Sequence, residues 1–237
     1  MQKQGWSPPR AIATVLGLGV VVGAVHGLLV TKLRLPAFIV TLCGLFIYRG
    51  LARWWAQDSN AGIGPGWFKT TFSEATPLGL PVELWYLMAV GAAFYVLLHR
   101  SIYGRYLYAI GSNELAAKYS GIRVDRYKIF AYILCSLSAA FFSMMHLAEI
   151  ASVTPSNVGS LLELYAIAGA VIGGCSLRGG EGNVFGIVLG AAILTLLQSF
   201  VLFWDVPQPL EYTVIGGALL CGAILDEVLR RRGAVRH

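Results

Sequence analysis

The chain has 237 residues, of which 57% are hydrophobic and only 13% charged, with 18 Lys and Arg against 12 Asp and Glu. Soluble domains carry about 25% charged residues, so a soluble globule and a disordered chain are both excluded: too much apolar surface needs cover. Its apolar runs are unbroken, whereas the strands of a transmembrane barrel alternate in polarity, which leaves an all-α, polytopic transmembrane helix bundle as a single domain over residues 1–237.

An apolar run of about 20 residues spans a bilayer as helix. Seven candidates follow in chain order, at residues 11–30, 35–52, 82–99, 128–146, 161–175, 184–203 and 211–225. Two are short or interrupted. Residues 164–177 contain Gly169, Gly173 and Gly174, and residues 35–48 have Pro36 at their head and Gly44 inside. Short runs of this kind read as broken or re-entrant helices, so the expectation is six to seven spans including such pieces.

Charge orients the spans. Between residues 99 and 128 lie Arg100, Arg105, Lys118, Arg123, Arg126 and Lys128 against Glu114 and Asp125, and the C-terminus carries Arg230, Arg231, Arg232 and Arg236. Positive-inside bias puts both in the cytoplasm, with Lys32, Arg34 and Arg178 on the same face. The opposite face receives residues 53–81, 149–160 and 204–210, where Trp67, Phe68 and Phe72 read as anchors for an external partner. The first span is in conflict. Alternation puts its start outside, yet Lys3 and Arg10 vote for inside.

Glycines mark packing. Gly19, Gly23 and Gly27, and again Gly182, Gly186 and Gly190, recur every four residues, which lines one helix face and admits a neighbour closely. The stretch from Gly173 to Gly182 lacks the Lys-Ser or Lys-Thr of a phosphate loop and reads as a flexible, tight connection between spans. Cys43, Cys135, Cys175 and Cys221 form no Cys-x-x-Cys pair, and His26, His99, His146 and His237 are scattered. An integral-membrane enzyme needs a clustered polar or metal constellation, and none is visible. An ion-coupled carrier needs mid-membrane ionisable groups, and these are scarce. The driving energy is therefore expected from elsewhere.

Residues 104–122, GRYLYAIGSNELAAKYSGI, are the most informative. Ser112 or Asn113 can cap a helix start, Glu114 sits favourably in the first turn with Lys118 at i+4, Ala116 and Ala117 favour helix, and Gly121 ends it. A short capped helix in the cytoplasm is expected, with small residues that let another protein approach.

This loop resembles the cytoplasmic loop of permease subunits of ribose-type sugar ABC importers. LPAFIVTL from Leu35 with YRGLA from Tyr48, ELYAIA from Glu163 followed by VIGGCSLRGGEG from Val171, and the run through Gly186 and Gly190 resemble the same family, in the same order. The resemblance implies a non-enzymatic pore subunit for ribose or a related monosaccharide in the bacterial inner membrane, multi-pass, with the C-terminus cytoplasmic. It implies as partners a cytoplasmic ABC ATPase, an extracytoplasmic sugar-binding protein, a second permease copy and the lipid bilayer, and no nucleic acid. ATP would be bound by the ATPase subunit, so no cofactor is expected on this chain. By the same resemblance Gly104, Arg105, Gly111, Asn113, Glu114, Ala116, Ala117 and Gly121 form the ATPase-coupling loop. Thr41, Tyr48, Tyr165, Thr195 and Gln198 are candidate path residues. Related permeases carry nucleosides or branched-chain amino acids, and none of these polar residues discriminates among the cargoes. Family members usually begin further upstream, and an upstream stretch would set the direction of the first span.

Overall fold

The computed structural model describes residues 7–57, 59, 61–62, 66–156, 158–203, 213 and 216–217. The seventh candidate span lies almost wholly outside them, as does the arginine-rich C-terminus.

Nine α-helices are described, with short turns between them: α1 (Pro8–Thr31), α2 (Ala37–Ala56), α3 (Trp67–Lys69), α4 (Val82–Tyr95), α5 (Ile102–Ser112), α6 (Glu114–Tyr119), α7 (Val124–Ile150), α8 (Leu162–Ile172) and α9 (Val184–Phe203). A π-helical turn follows α3 at Thr70–Glu74, and another carries α4 on through Val96–Arg100. Five helices among the described residues are long and apolar enough to cross a membrane, namely α1, α2, α4 with its π turn, α7 and α9. They bear large apolar side chains outward, such as Phe38, Phe46, Trp54 and Trp55 on α2 and Phe185, Leu189 and Leu196 on α9. Water would not tolerate apolar faces of this extent, and lipid does.

The span boundaries follow the apolar runs to within four residues, α7 extending that far at both ends, and α2 departs from the expected short helix. The α2 helix is 20 residues long rather than short, because Arg49 and Arg53 continue a helix that the hydropathy reading cut off. Pro36 stands just ahead of the helix, where its missing N–H costs nothing. The α8 helix is short, at 11 residues. It ends where Gly174 turns left-handed at φ +83°, with the Gly174 N–H bonded to Val171 O and the Cys175 N–H to Ala170 O, each at 2.9 Å. This is a Schellman motif, in which a left-handed residue, usually glycine, ends the helix, and a Cβ at Gly174 would meet nothing within 4 Å.

The residues divide into two compact units. Residues 1–92 and 121–158 form the first, and residues 93–120 and 159–237 the second.

In the first unit α1 lies antiparallel against α7. A Cβ on Gly23 would stand 2.6 Å from Ile133 Cα, one on Gly27 2.8 Å from Ile129 Cα, and one on Gly19 3.0 Å from Ala140 Cβ. Main chain thus meets main chain along the seam that the glycine spacing predicted. Lys32 Nζ, just beyond α1, is 3.9 Å from Asp125 Oδ2 near the start of α7. Exposed as it is, that ion pair adds little stability, but it marks the register that the seam sets, with Lys32 at the same end as Arg123 and Arg126. The start of α1 packs at the other end, where Ile12, Val15 and Leu16 meet Phe68, Phe72, Met144 and Ala148. The first run is therefore a full span whose start lies at the end opposite Lys32.

The cluster around Phe68 and Phe72 corrects an expectation. These two rings are not free anchors but core, at 4% and 8% exposure, because the 67–74 segment folds back onto α7. Phe72 stacks on Tyr86 at 5.7 Å, and Tyr86 meets Phe141 edge-on at 5.5 Å. Trp67 alone of the three faces outward. A two-residue antiparallel ladder, Ala61 with Val153 and Gly62 with Ser152, ties the segment after α2 to the segment after α7.

In the second unit α8 and α9 form an antiparallel hairpin. A Cβ on Gly173 would stand 2.5 Å from Gly186 C, one on Gly190 2.7 Å from Gly173 N, and one on Gly169 3.4 Å from Ala191. Asn183 caps α9, its Oδ1 accepting from the Phe185 N–H at 3.1 Å.

The α1–α7 seam generates a direct test. Gly23→Ala forces a methyl against backbone, and overpacking of this kind costs about 1–3 kcal/mol. The thermal midpoint of detergent-solubilised protein should fall by about 3 °C or more. Gly17→Ala, whose Cβ would meet nothing within 4 Å, should not lower it. Equal midpoints for the two variants would contradict the seam.

Candidate functional site

The α5–α6 segment is built by caps. Ser101 opens α5, its Oγ accepting from the Gly104 N–H at 3.2 Å. Gly104 is required there because a Cβ would collide with the Leu98 carbonyl. Its place in the segment is thus one of close approach, and its neighbour Arg105 is exposed.

Asn113 then does two things. Its backbone is extended (φ −155°, ψ 100°), which stops α5, and its N–H still closes α5 on Ala109 O at 3.1 Å. Its Oδ1 accepts from the Ala116 N–H at 3.0 Å, which opens α6. The cap, the acidic first turn at Glu114 and the left-handed Gly121 (φ +83°) all stand where the sequence predicted them. The α5 helix itself was not predicted, since its two glycines weaken the helical pattern.

The two alanines part company. Ala117 is buried at 5% exposure, and Ala116 is exposed. Only Ala116 is therefore available as a small contact residue. What α6 offers outward, and the sequence reading missed, is Leu115 at 67% and Tyr119 at 89% exposure. A leucine and a tyrosine four residues apart on one face of a charged, capped helix form an apolar patch. A search for large apolar residues at i, i+4 would have found them.

Gly111 sits at the far end of α5 against the glycine-rich connection. A Cβ there would fall on the Gly180 amide nitrogen, and a Cβ on Gly180 (φ +81°) would stand 2.5 Å from Ser112 Oγ. Tyr108 donates its hydroxyl to Gly182 O at 2.7 Å. Burial first, and the Cys175 thiol second, push the Tyr108 phenol above its usual range. A raised value keeps the neutral donor through the physiological range. The contribution is complete below the ordinary phenol value of about 10 and is lost as pH rises from there through the folded-state value. The connection expected to be flexible is an ordered turn, with the Ser176 N–H bonded to Glu181 O at 3.2 Å and the Gly179 N–H to Ser176 O at 3.1 Å.

The candidate path residues fall into two sets. In the first unit Thr41 and Tyr48 share one face of α2. Thr41 donates back to Ala37 O and Phe38 O at 3.1 Å, and Tyr48 Oη lies 3.3 Å from His26 Nε2 on α1. Gly44 leaves room for that contact, since a Cβ there would stand 2.5 Å from His26 Nε2. In the second unit Tyr165 lies on α8, and Thr195 and Gln198 on α9, with Thr195 donating to Ala191 O at 3.0 Å. The hydroxyl hydrogens of Thr41 and Thr195 serve their own helices, while their lone pairs remain as acceptors.

Glycine-packed apolar helices and a capped polar segment between two of them define a polytopic helical membrane protein. The profile of the family described as "Branched-chain amino acid transport system / permease component" matches residues 1–223. The chain is 36% identical over 223 residues to the ribose import permease protein RbsC of Escherichia coli K12, an alignment covering 91% of this chain and 68% of that one. It is 35% identical over 236 residues to the autoinducer 2 import system permease protein LsrC of Enterobacter sp. strain 638, covering 98% and 67%. It is also 35% identical over 221 residues to the probable ABC transporter permease protein y4mJ of Sinorhizobium fredii, covering 93% and 66%. No solved structure matches. The chain belongs to this family of ABC-transporter permeases.

The Asn113 cap is testable on its own. Asn113→Ala should cost α6 about 1 kcal/mol of local stability. Amide hydrogen exchange at Ala116 and Ala117 should speed up by about five-fold, and Asn113→Asp should keep it near wild type. Unchanged exchange in Asn113→Ala would contradict the cap.

Proposed function

We propose that this chain is the pore subunit of an ATP-driven importer of a monosaccharide such as ribose, and that α6 is where a cytoplasmic ABC ATPase docks and couples. The observation that carries the reading is α6 itself. It is a short capped helix between two membrane-spanning helices, in the most basic connection of the chain, and it bears exposed Leu115 and Tyr119. Positive-inside bias favours the cytoplasm for this connection and for the Arg-rich C-terminus. An inner-membrane location follows from the same reading.

In this mechanism the chain performs no chemistry. The ATPase hydrolyses ATP, its movement reaches the membrane helices through α6, and an extracytoplasmic binding protein delivers the sugar. A second permease copy would complete the pore. Gly104 and Gly111 serve as close-approach positions, and Arg105, Asn113, Glu114, Ala116, Ala117 and Gly121 shape and present the docking helix. Thr41, Tyr48, Tyr165, Thr195 and Gln198 would offer hydroxyl and amide groups to a passing polyol. A sugar cargo is preferred to a branched-chain amino acid because relatives aligned over nine-tenths of this chain are named for ribose and autoinducer 2 import.

Leu115→Glu combined with Tyr119→Ala should reduce recovery of a co-expressed ABC ATPase with this chain by about ten-fold relative to wild type, with membrane insertion unchanged. Labelled ribose uptake should fall in parallel. Full ATPase recovery with the double variant would contradict the docking role, and uptake of leucine in place of ribose would contradict the cargo.

A further inference from the structure

The turn over residues 176–182 joins two things that the sequence keeps far apart. One end continues α8 through the Schellman motif, and the other leads into Asn183 and α9. Its middle lies on the end of α5. Cβ atoms on Gly179 and Gly180 would stand 3.1 Å from Gly111 O and 2.8 Å from Ser112 N. Between Gly111 and Gly179 no side chain separates the two backbones, so rotamer changes cannot absorb a displacement of one against the other there. Two polar contacts lie beside this approach. Tyr108 donates to Gly182 O at 2.7 Å, and His99 Nε2 lies 3.2 Å from Asn183 Oδ1.

We propose that residues 176–182 form a transmission clasp that binds the α5–α6 segment to the α8–α9 hairpin, so that movement of α6 is passed to α8 and α9 as one body. The inference rests on the reading of α6 as the ATPase-docking helix and adds the route beyond it. The route is contiguous. From α6 it runs through the single extended residue Asn113 into α5, from Gly111 and Ser112 onto Gly179 and Gly180, and from there into a hairpin zipped by Gly169, Gly173, Gly186 and Gly190. That hairpin carries Tyr165, Thr195 and Gln198, three of the candidate path residues. Tyr108 and Gly180 are positioning residues: they touch neither cargo nor ATP, and act by keeping two elements in register.

The test uses the importer assembled from this chain with its ATPase and binding protein in proteoliposomes, scored as sugar taken up per ATP hydrolysed. Only preparations that retain the ATPase at the wild-type ratio are scored, so a failure of docking is seen separately, as lost ATPase. Gly180→Ala places a methyl on Ser112, and Tyr108→Phe removes only the hydroxyl bonded to Gly182. Gly174→Ala is the control. It imposes the same left-handed strain (φ +83°) in the same connection but would meet nothing within 4 Å. Uptake per ATP should fall by about five-fold or more in Gly180→Ala and in Tyr108→Phe, with Gly174→Ala close to wild type. Should Gly180→Ala fail to assemble, Tyr108→Phe decides. A wild-type ratio in Tyr108→Phe, or an equal loss in Gly174→Ala and Gly180→Ala, overturns the clasp.

Discussion

Direct contact of main chain with main chain, made possible by glycine, is the constraint on which the rest of the molecule depends. In lipid there is no hydrophobic drive between helices, since acyl tails are as apolar as leucine. Close packing must supply what burial supplies in water. Gly19, Gly23 and Gly27 do so for α1 on α7, and Gly169, Gly173, Gly186 and Gly190 for α8 on α9. Outside the spans Gly111 and Gly180 repeat the device between α5 and a turn. Each seam sets a register as well as an energy, because one residue of slip would bring a bulkier neighbour onto backbone.

That register gives the charges their meaning. With α1 antiparallel to α7, Lys32 arrives beside Asp125, and the start of α1 arrives at the aromatic cluster of Phe68, Phe72, Tyr86 and Phe141. The antiparallel seam therefore agrees with the alternation of spans and not with the vote of Arg10. A packed seam of several close contacts outweighs an exposed charge such as Arg10, whose preference is a few tenths to about 1 kcal/mol.

The sequence was most legible where one physical signal dominates. An unbroken apolar run fixed α9 at Val184–Phe203, and i+4 glycine spacing foretold the α1 seam and the α9 side of the other through Gly186 and Gly190, whereas Gly182 of the same series stands in the turn before α9. Asn113 and Glu114 announced α6 because capping chemistry is local. Legibility failed where the answer depends on what arrives from elsewhere in the chain. Nothing local to Phe68 and Phe72 says that the 67–74 segment folds back on α7. On a helix as short as α6, periodicity cannot tell buried Ala117 from exposed Ala116. The glycine-rich stretch read as slack because glycine is permissive. Its tightness became visible only when α5 was found lying against it.

The central claim is that the Asn113 helix stands on the cytoplasmic face as the point where outside energy enters a lipid-embedded chain. Its most direct test is the side of the membrane on which Leu115 lies. A Leu115→Cys chain, with its 4 native cysteines replaced by alanine, would be treated with a membrane-impermeant maleimide in intact cells and in inverted membrane vesicles. Labelling in inverted vesicles and none in intact cells is the predicted result. Labelling in intact cells would contradict the account.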